Sequence, residues 1–236
     1  MKTGKAVGVI IPAAGAGSRF GGTRPKQFLP LAGIPVLIHS LRFFSRQPEV
    51  SQIVVALPPS AAKGFSAWTR RFSLPEGGIC WLQGGESRQA SVANAFAGMA
   101  AQCQWVAVHD AARPLLDRPL FLSLLRRAGE TGAAIPGLPL TDTLKRRQPG
   151  SDLIAETIPR ECIAAVQTPQ VFRRTVLEEA LQKAESEGFQ GTDEASLVER
   201  LGRPVAVVPG SRRNLKITVP SDMVWARWLL AHPRWK

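Results

Sequence analysis

A glycine-rich segment with cations follows the first apolar run of the chain. It reads Pro12-Ala13-Ala14-Gly15-Ala16-Gly17-Ser18-Arg19-Phe20-Gly21, and Lys26 lies a few residues further on. Small residues let backbone N–H groups approach a phosphate closely, and such ligands bind at the carboxyl ends of parallel strands. A Walker loop is excluded because Gly-Lys-Ser/Thr is absent, and a dinucleotide fingerprint because no acidic residue precedes Glu49. The segment therefore predicts a phosphate site containing Arg19 and Lys26; the alternative is an ordinary glycine turn with two solvated cations.

A second glycine motif follows a later apolar run. It reads Gly84-Gly85-Glu86-Ser87-Arg88-Gln89-Ala90-Ser91. The glycines would let a nucleobase lie against the backbone, and Arg88 and Ser91 at the start of a helix could hold a base or a phosphate. The alternative is a loop in which Ser91 or Glu86 only supports the start of the helix.

A third motif, His109-Asp110-Ala111-Ala112-Arg113-Pro114, ends another apolar run. Asp110 at the end of a central strand is placed to hold Mg²⁺ or a substrate hydroxyl, and Arg113 could receive an anionic group. The alternative is a local Asp–Arg ion pair that closes the loop. We assign His109 to packing, because it shares its strand with core residues and has no candidate catalytic partner.

The elements that must position these motifs alternate along the chain. We predict strands at 7–11, 53–57, 79–82, 106–109, 133–136, 164–167 and 205–208. We predict helices at 36–45, 61–72, 89–101, 120–128, 173–187, 194–201 and 222–231. Short apolar strands between helices indicate one doubly wound α/β domain over residues 1–236, with a mostly parallel sheet covered by helices on both faces. The chain ends soon after the last predicted helix, so we expect no second catalytic domain.

Residues 140–163 break this alternation. Two extended polar segments, 141–147 and 153–160, flank Gln148-Pro149-Gly150-Ser151-Asp152, and Pro-Gly is a turn signal. A hairpin with so few apolar residues cannot join the central core. We expect it to project as an arm and to find its partner on another subunit.

Composition and charge limit the classes of partner. The net charge is +12, yet the basic residues are dispersed as pairs such as Arg70-Arg71, and no block of five like charges is present. Residues 1–48 contain seven positive charges and no acidic residue, which suits a small polyanion such as a nucleoside triphosphate. Three cysteines without CxxC spacing argue against a disulfide framework or a zinc site. No run is apolar enough to span a membrane, and Pro12 interrupts the one N-terminal run that resembles a signal peptide. We expect a cytoplasmic protein that binds neither membranes nor nucleic acid.

Several further segments are modest when taken alone. They are Asp142-Thr143 and Arg160 in the proposed arm, Thr168-Pro169-Gln170, Thr192-Asp193-Glu194 and Asn214-Leu215-Lys216-Ile217-Thr218. A helix N-cap explains Thr192 as well as a binding role does, and an exposed lysine on a strand equally explains Lys216. The order in which all these motifs occur closely resembles the 2-C-methyl-D-erythritol 4-phosphate cytidylyltransferases of the non-mevalonate isoprenoid pathway. The resemblance covers nearly the whole chain, with departures at Ala90, where we expect an acidic residue, and Thr141, where a basic residue often precedes Asp-Thr.

This resemblance implies an enzyme that couples CTP and 2-C-methyl-D-erythritol 4-phosphate, with Mg²⁺ or another divalent cation, in a homodimer joined through the arm. It implies catalytic roles for Arg19, Lys26, Arg160 and Lys216, and a metal contact for Asp110. It places CTP against Pro12, Ala13, Ala14, Gly15, Ala16, Gly17, Arg19, Lys26, Gly85, Arg88, Ser91, Asp110 and Ala111. It places the acceptor against Asp110, Arg113, Thr143, Arg160, Thr168, Thr192 and Lys216. Two alternatives stay open: a cytidylyltransferase for another polyol phosphate such as ribitol 5-phosphate, and a basic nucleotide- or RNA-binding protein.

Overall fold

The computed structural model describes residues 6–15, 20, 25–75 and 77–233. Its strands are β1 (Val7–Pro12), β2 (Pro30–Leu31), β3 (Ile34–Pro35), β4 (Val50–Leu57), β5 (Ile79–Gln83), β6 (Trp105–Val108), β7 (Ala133–Pro139), β8 (Leu144–Arg147), β9 (Ile154–Ile158), β10 (Ala164–Val166), β11 (Gln170–Arg173) and β12 (Ala206–Pro209). Its helices are α1 (Val36–Ser45), α2 (Pro59–Arg71), α3 (Arg88–Ala97), α4 (Arg118–Thr131), α5 (Arg174–Ser186), α6 (Glu194–Arg200) and α7 (Pro220–Ala231), with a short 3-10 helix at Lys26–Phe28. In this part of the chain, no helix has both the length and the apolar character needed to cross a bilayer.

The central sheet is mostly parallel and is covered on both faces, which confirms the predicted fold class. Its order is β10-β7-β11-β6-β1-β4-β5, with β12 also paired to β7. Strands β5, β4, β1 and β6 run parallel to one another. Alternate residues of β1 enter opposite cores: Val9 and Ile11 pack in the core that contains residues of α1, α2 and α4. Ile10 packs in the core that contains residues of α3, α5 and α6.

One central strand was missing from the sequence prediction. Strand β11 lies between β6 and β7 and runs antiparallel to both. Only Val171 and Phe172 are apolar in its four residues, with Gln170 and Arg173 at the ends, so the hydrophobic pattern is too short to be distinguished. The small β2–β3 hairpin was missed for the same reason, since each of its strands has two residues.

Residues 140–163 contain an antiparallel β8–β9 hairpin, which confirms the predicted turn and pairing. Lys145 Nζ donates to Thr157 Oγ1 across the strands at 2.6 Å, and Gly150 in the turn has a φ of +71°, which favours glycine. The hairpin leaves from β7 and returns into β10, and these two strands pair with each other. Most of its side chains are exposed, including Leu153 at 61% and Ile154 at 51%. Its role as an arm between subunits stays a prediction.

Candidate active site

The three strand-end motifs meet at one edge of the sheet, as predicted. A cavity of about 470 Å³ lies beyond the carboxyl ends of β1, β5 and β6. The predicted residues that line it are Pro12, Ala14, Gly15, Lys26, Gly85, Arg88, Ser91, Asp110, Ala111 and Lys216. Ala13 is buried beneath this edge, whereas Ala16, Gly17 and Arg19 lie outside the described residues.

The loop after β1 is held by a residue to which the sequence analysis gave no role. The side-chain amide of Gln27 donates to the carbonyl oxygens of Ala13 and Gly15, both at 2.8 Å. Gln27 is buried in the 3-10 helix that also carries Lys26, so one short element fixes the loop and presents the lysine to the cavity. A glutamine beside a candidate catalytic lysine was the only sequence signal available.

The loop after β5 approaches the loop after β1 because residue 84 has no side chain. A Cβ on Gly84 would lie 2.3 Å from the Cβ of Ala14, closer than two carbon atoms can approach. The Ser91 hydroxyl accepts the Gly85 N–H at 3.1 Å and donates to the Ser87 carbonyl at 2.9 Å, so Ser91 fixes the shape of this loop. The cap of α3 is Ser87, whose hydroxyl accepts the Ala90 N–H at 3.0 Å. Ser91 therefore supports the start of α3, as the alternative interpretation predicted, although the N-cap itself is Ser87.

Asp110 is a buried carboxylate at the centre of a charge cluster. Its Oδ2 lies 2.8 Å from Lys216 Nζ and 3.7 Å from Arg113 Nε, and its Oδ1 lies 3.4 Å from Arg88 Nε. Burial raises the pKa of the Asp110 carboxyl, but the charges of Arg88, Lys216 and Arg113 outweigh it and hold that pKa well below its usual range. The predicted Asp110–Arg113 ion pair is therefore present, within a larger cluster that holds three cations beside the cavity.

Arg88 joins this cluster to a second buried carboxylate that the sequence analysis did not identify. Its Nη1 donates to Glu194 Oε1 at 2.7 Å. Burial opposes the charged form of Arg88, yet Glu194 and Asp110 together raise the pKa of its guanidinium above the ordinary value. For Glu194, burial dominates and raises the pKa of its carboxyl.

His109 is fully buried and bonded through both ring nitrogens, which confirms its assignment to packing. Its Nε2 lies 3.0 Å from the Arg113 carbonyl oxygen, which can only accept, so Nε2 carries the proton. Its Nδ1 lies 3.3 Å from Thr168 Oγ1, and that hydroxyl accepts the Asp110 N–H at 2.9 Å. Burial lowers the pKa of His109 to about 4, so the ring is neutral at pH 7.

The segment that carries Lys216 is anchored by two buried amides. Asn214 Nδ2 donates to the Thr168 carbonyl at 2.8 Å, while Arg113 Nη1 donates to the Asn214 carbonyl at 2.7 Å. Gln167 Nε2 donates to the Ser211 carbonyl at 2.9 Å. These bonds fix the approach of Lys216 to Asp110. The interpretation of Lys216 as an exposed lysine on a strand is wrong, because residues 214–218 form no strand.

A second cavity shares Lys216 with the first. It has a volume of about 470 Å³ and is lined by Arg113, Lys216 and apolar side chains that include Leu138, Leu215 and Trp225. Lys216 therefore lies between two spaces, each large enough for a small ligand.

Four predicted acceptor residues line neither cavity within one chain. Thr168 is buried, and its hydroxyl accepts the Asp110 N–H. Thr143 and Arg160 are exposed on or beside the hairpin, where the Arg160 guanidinium donates to the Thr141 carbonyl. Thr192 is also exposed. The N-cap of α6 is Asp193, which accepts the Ser196 N–H at 3.0 Å, so the interpretation of Thr192 as that N-cap is wrong.

The Asp110 cluster does not fit a metal site. Both oxygens of this carboxylate face ammonium or guanidinium groups, whose charges repel a cation. The described residues contain no group of three or more His, Cys, Asp or Glu side chains suited to a metal ion. The departures at Ala90 and Thr141 do not line the first cavity: Ala90 lines a neighbouring groove, and Thr141 is exposed.

Comparisons with known proteins cover almost the whole chain. The model of the family 2-C-methyl-D-erythritol 4-phosphate cytidylyltransferase matches residues 7–232. Proteins of that name from Solibacter usitatus (strain Ellin6076) and Acidobacterium capsulatum are each 44% identical to the chain, the first over 95% of both chains and the second over 94% of this chain and 96% of its own. The crystal structure of the Thermus thermophilus protein of that name superposes with a TM-score of 0.78 at 38% identity, covering 96% of this chain and 99% of its own.

Proposed function

The chain belongs to the 2-C-methyl-D-erythritol 4-phosphate cytidylyltransferase family, and from this premise we propose which residues carry the reaction. It is a nucleotidyltransferase of the non-mevalonate isoprenoid pathway. It converts CTP and 2-C-methyl-D-erythritol 4-phosphate into 4-diphosphocytidyl-2-C-methyl-D-erythritol and pyrophosphate.

The chemistry needs charge neutralisation more than proton transfer. A phosphate oxygen of the acceptor attacks the α-phosphorus of CTP, a new P–O bond forms, and the bond to the β-phosphate oxygen breaks to release pyrophosphate. A phosphomonoester is already an adequate nucleophile, so no strong general base is required. His109 is unsuited to that role because both of its ring nitrogens are bonded inside the core.

The position of Lys216 between the two cavities carries this proposal. CTP occupies the first cavity and the acceptor phosphate enters the second, so the ammonium group of Lys216 lies where the two anions meet. Lys26 lines the first cavity and is proposed to bind the triphosphate there. Fixed cations of this kind stabilise the charge that develops as pyrophosphate leaves. Arg19 is proposed to assist Lys26 on the strength of the family resemblance.

The base and ribose of CTP are proposed to lie against Gly85 and Arg88, with Ser91 holding that loop in shape. Pro12, Ala14 and Gly15 of the phosphate loop and the Asp110-Ala111 turn complete the nucleotide cavity. Arg113 lines the second cavity and is placed to bind the acceptor phosphate. Thr168 is already bonded to His109 and to the Asp110 N–H, so its hydroxyl supports the acceptor site by holding Asp110.

The acceptor contacts of Thr143 and Arg160 are proposed to come from a second subunit. Residues 1–236 form one nucleotidyltransferase domain in this proposal, and residues 140–163 serve as an arm that joins a homodimer. The exposure of Thr143, Arg160 and the hairpin's apolar residues supports it, because an isolated two-stranded hairpin gains order by docking. Thr192 is proposed to contribute to the acceptor site from its exposed position before α6.

A divalent cation is proposed to enter as part of the nucleotide, with Mg²⁺ bound by triphosphate oxygens. Asp110 would take part only if one of its cationic partners moved away. We also propose a cytoplasmic location, supported by the free thiols of Cys80, Cys103 and Cys162.

A pyrophosphate-release assay tests this function. We expect release with CTP and 2-C-methyl-D-erythritol 4-phosphate, and kcat/KM at least about tenfold lower with ribitol 5-phosphate, because a site built for one acceptor leaves polar groups unpaired with another. Higher kcat/KM with ribitol 5-phosphate would overturn the assignment of the acceptor. Tight, salt-sensitive RNA binding without pyrophosphate release would overturn the enzymatic function itself.

A further inference from the structure

Glu194 is a buried carboxylate with no role in the reaction described above. It is the first residue of α6, and 1% of it is exposed. Its Oε1 accepts a hydrogen bond from Arg88, while its Oε2 is buried without a hydrogen-bond partner among the described residues. A buried charge that lacks part of its hydrogen bonding is costly to stability, so its presence beside the nucleotide cavity calls for a functional explanation.

The start of α6 is fixed to the first residue of β11, which lies beside the end of β6. Gln170 Nε2 donates to Asp193 Oδ2 at 2.6 Å, and Gln170 Oε1 accepts the Ala195 N–H at 3.0 Å. Gln170 lies opposite Val108 in the β11–β6 ladder, two residues before Asp110. The carboxylates of Glu194 and Asp110 are therefore held on one framework, and Glu194 cannot follow Arg88 if the arginine moves.

Arg88 bridges these two fixed carboxylates. Its Nε faces Asp110 Oδ1 at 3.4 Å and its Nη1 bonds Glu194 Oε1 at 2.7 Å, while 32% of its side chain is exposed. The guanidinium is a planar fork, so contacts at two of its nitrogens fix the plane and direct the remaining N–H groups. Without Glu194, the only ion-pair partner described for Arg88 is Asp110, at a longer distance, and the fork is free to turn.

We propose that Glu194 is a positioning residue for the nucleotide: it fixes the Arg88 guanidinium in the orientation that binds CTP. The inference rests on the proposed function, because it assigns CTP to the cavity that Arg88 lines. It requires Glu194 to act through Arg88 alone, and this requirement distinguishes it from a general contribution to folding.

A double-mutant cycle on the full chain tests the proposal. CTP affinity is measured by titration calorimetry without acceptor for the wild type, Glu194→Gln, Arg88→Gln and the double variant. We expect Glu194→Gln to weaken CTP binding about tenfold in the wild-type background, a typical coupling between groups in contact. In the Arg88→Gln background it should weaken binding by less than about twofold, because no guanidinium is left to position. Glu199→Gln makes the same chemical change at an exposed site on α6 and should bind CTP as the wild type does.

Steady-state kinetics separate positioning from loss of structure. Glu194→Gln should raise KM for CTP while kcat and KM for the acceptor change little, because Arg88 lies on the nucleotide side of the site. Equal losses in both backgrounds, or wild-type affinity in Glu194→Gln, would overturn the proposal. If Glu194→Gln does not fold, Glu194→Asp replaces it in the cycle, because it withdraws the carboxylate from Arg88 by one methylene. The effects of Glu194→Asp and Arg88→Gln on CTP affinity must then be non-additive in the same way. If the wild type binds CTP and the four affinities show the expected non-additivity, but no pyrophosphate is released with the acceptor, the proposed function alone is refuted. If the wild type binds no CTP, both proposals are refuted.

Discussion

The neutral His109 in the core makes stability depend on pH in a way that one substitution should remove. Burial lowers the pKa of His109 from its ordinary 6.5 to about 4 in the folded protein. Folding therefore excludes a proton that the unfolded chain binds below pH 6.5. The stability that depends on a neutral His109 is fully present above pH 6.5 and is lost as the pH falls towards 4.

The size of the effect follows from the two pKa values. Each pH unit inside the window contributes about 1.4 kcal/mol, so lowering the pH from 6.5 to 5 should cost the wild type about 2 kcal/mol through His109. His109→Gln keeps a side chain that can donate to the Arg113 carbonyl but cannot titrate. We expect this variant to be less stable than the wild type at pH 7, because a flexible side chain replaces a packed ring. Between pH 7 and pH 5, its free energy of unfolding should fall by about 2 kcal/mol less than that of the wild type.

Urea denaturation followed by tryptophan fluorescence measures this difference at half-unit steps from pH 7.5 to 5. The measurements stop at pH 5 because most carboxylates titrate below that pH. The wild type and the variant have the same carboxylates, so any that titrate above pH 5 affect both proteins equally. His232→Gln is the control, because it makes the same substitution at an exposed histidine instead of a buried one. Parallel stability–pH curves for the wild type and His109→Gln would refute the buried, neutral state of this histidine. A folded His109→Gln protein with turnover lowered a hundredfold would contradict its structural role.

Three further predictions concern the reaction. Lys26→Ala should lower kcat roughly a hundredfold or more with little change in melting temperature, the scale of removing one preorganised charge; unchanged turnover would eliminate Lys26 as a catalytic group. CTP should have a higher kcat/KM than UTP, and ATP should be a poor substrate. The 4-amino group of cytosine donates a hydrogen bond whereas the 4-oxo group of uracil accepts one, so backbone groups near Gly85 that pair with the first cannot pair with the second. Equal kcat/KM values for CTP and ATP would refute the assignment of the base site. Finally, the Lys216→Ala and Arg160→Ala proteins, each nearly inactive alone, should recover activity when they are mixed and exchange subunits. Half of the dimers are then mixed, and each mixed dimer has one site with both substitutions and one site with neither. The expected activity is therefore about a quarter of the wild-type value. No recovery despite exchange would assign Arg160 to its own chain's site.

Helix periodicity predicted the elements of this fold better than strand pattern did. The helix at 36–45 was predicted with its observed bounds, and the other six described α-helices were each located to within a few residues. Strand β11 was missed because it is defined by its hydrogen bonds to β6 on one side and β7 on the other. Four residues with two apolar side chains do not by themselves indicate such a strand.

The site was predictable where its residues follow strands and unpredictable where they act through other residues. The carboxyl ends of neighbouring parallel strands must meet, so the cavity formed by the loops after β1, β5 and β6 followed from the order of elements. Gln27, Gln170 and Asn214 could not be found in this way. Their amides bond to backbone or side-chain groups of segments that are distant in sequence, and nothing in a single sequence reports which group an amide will reach.

Asp110 shows why a functional interpretation and a structural one need not exclude each other. The sequence suggested either a substrate contact or a local Asp–Arg ion pair. In the structure the carboxylate does pair with Arg113, and it also holds Lys216 and Arg88, which come from distant parts of the chain. Cations fixed by a buried carboxylate have already lost their side-chain freedom when CTP arrives, so less of the binding free energy is spent on ordering them. The local ion pair is thus part of how the site is organised for two polyanionic substrates.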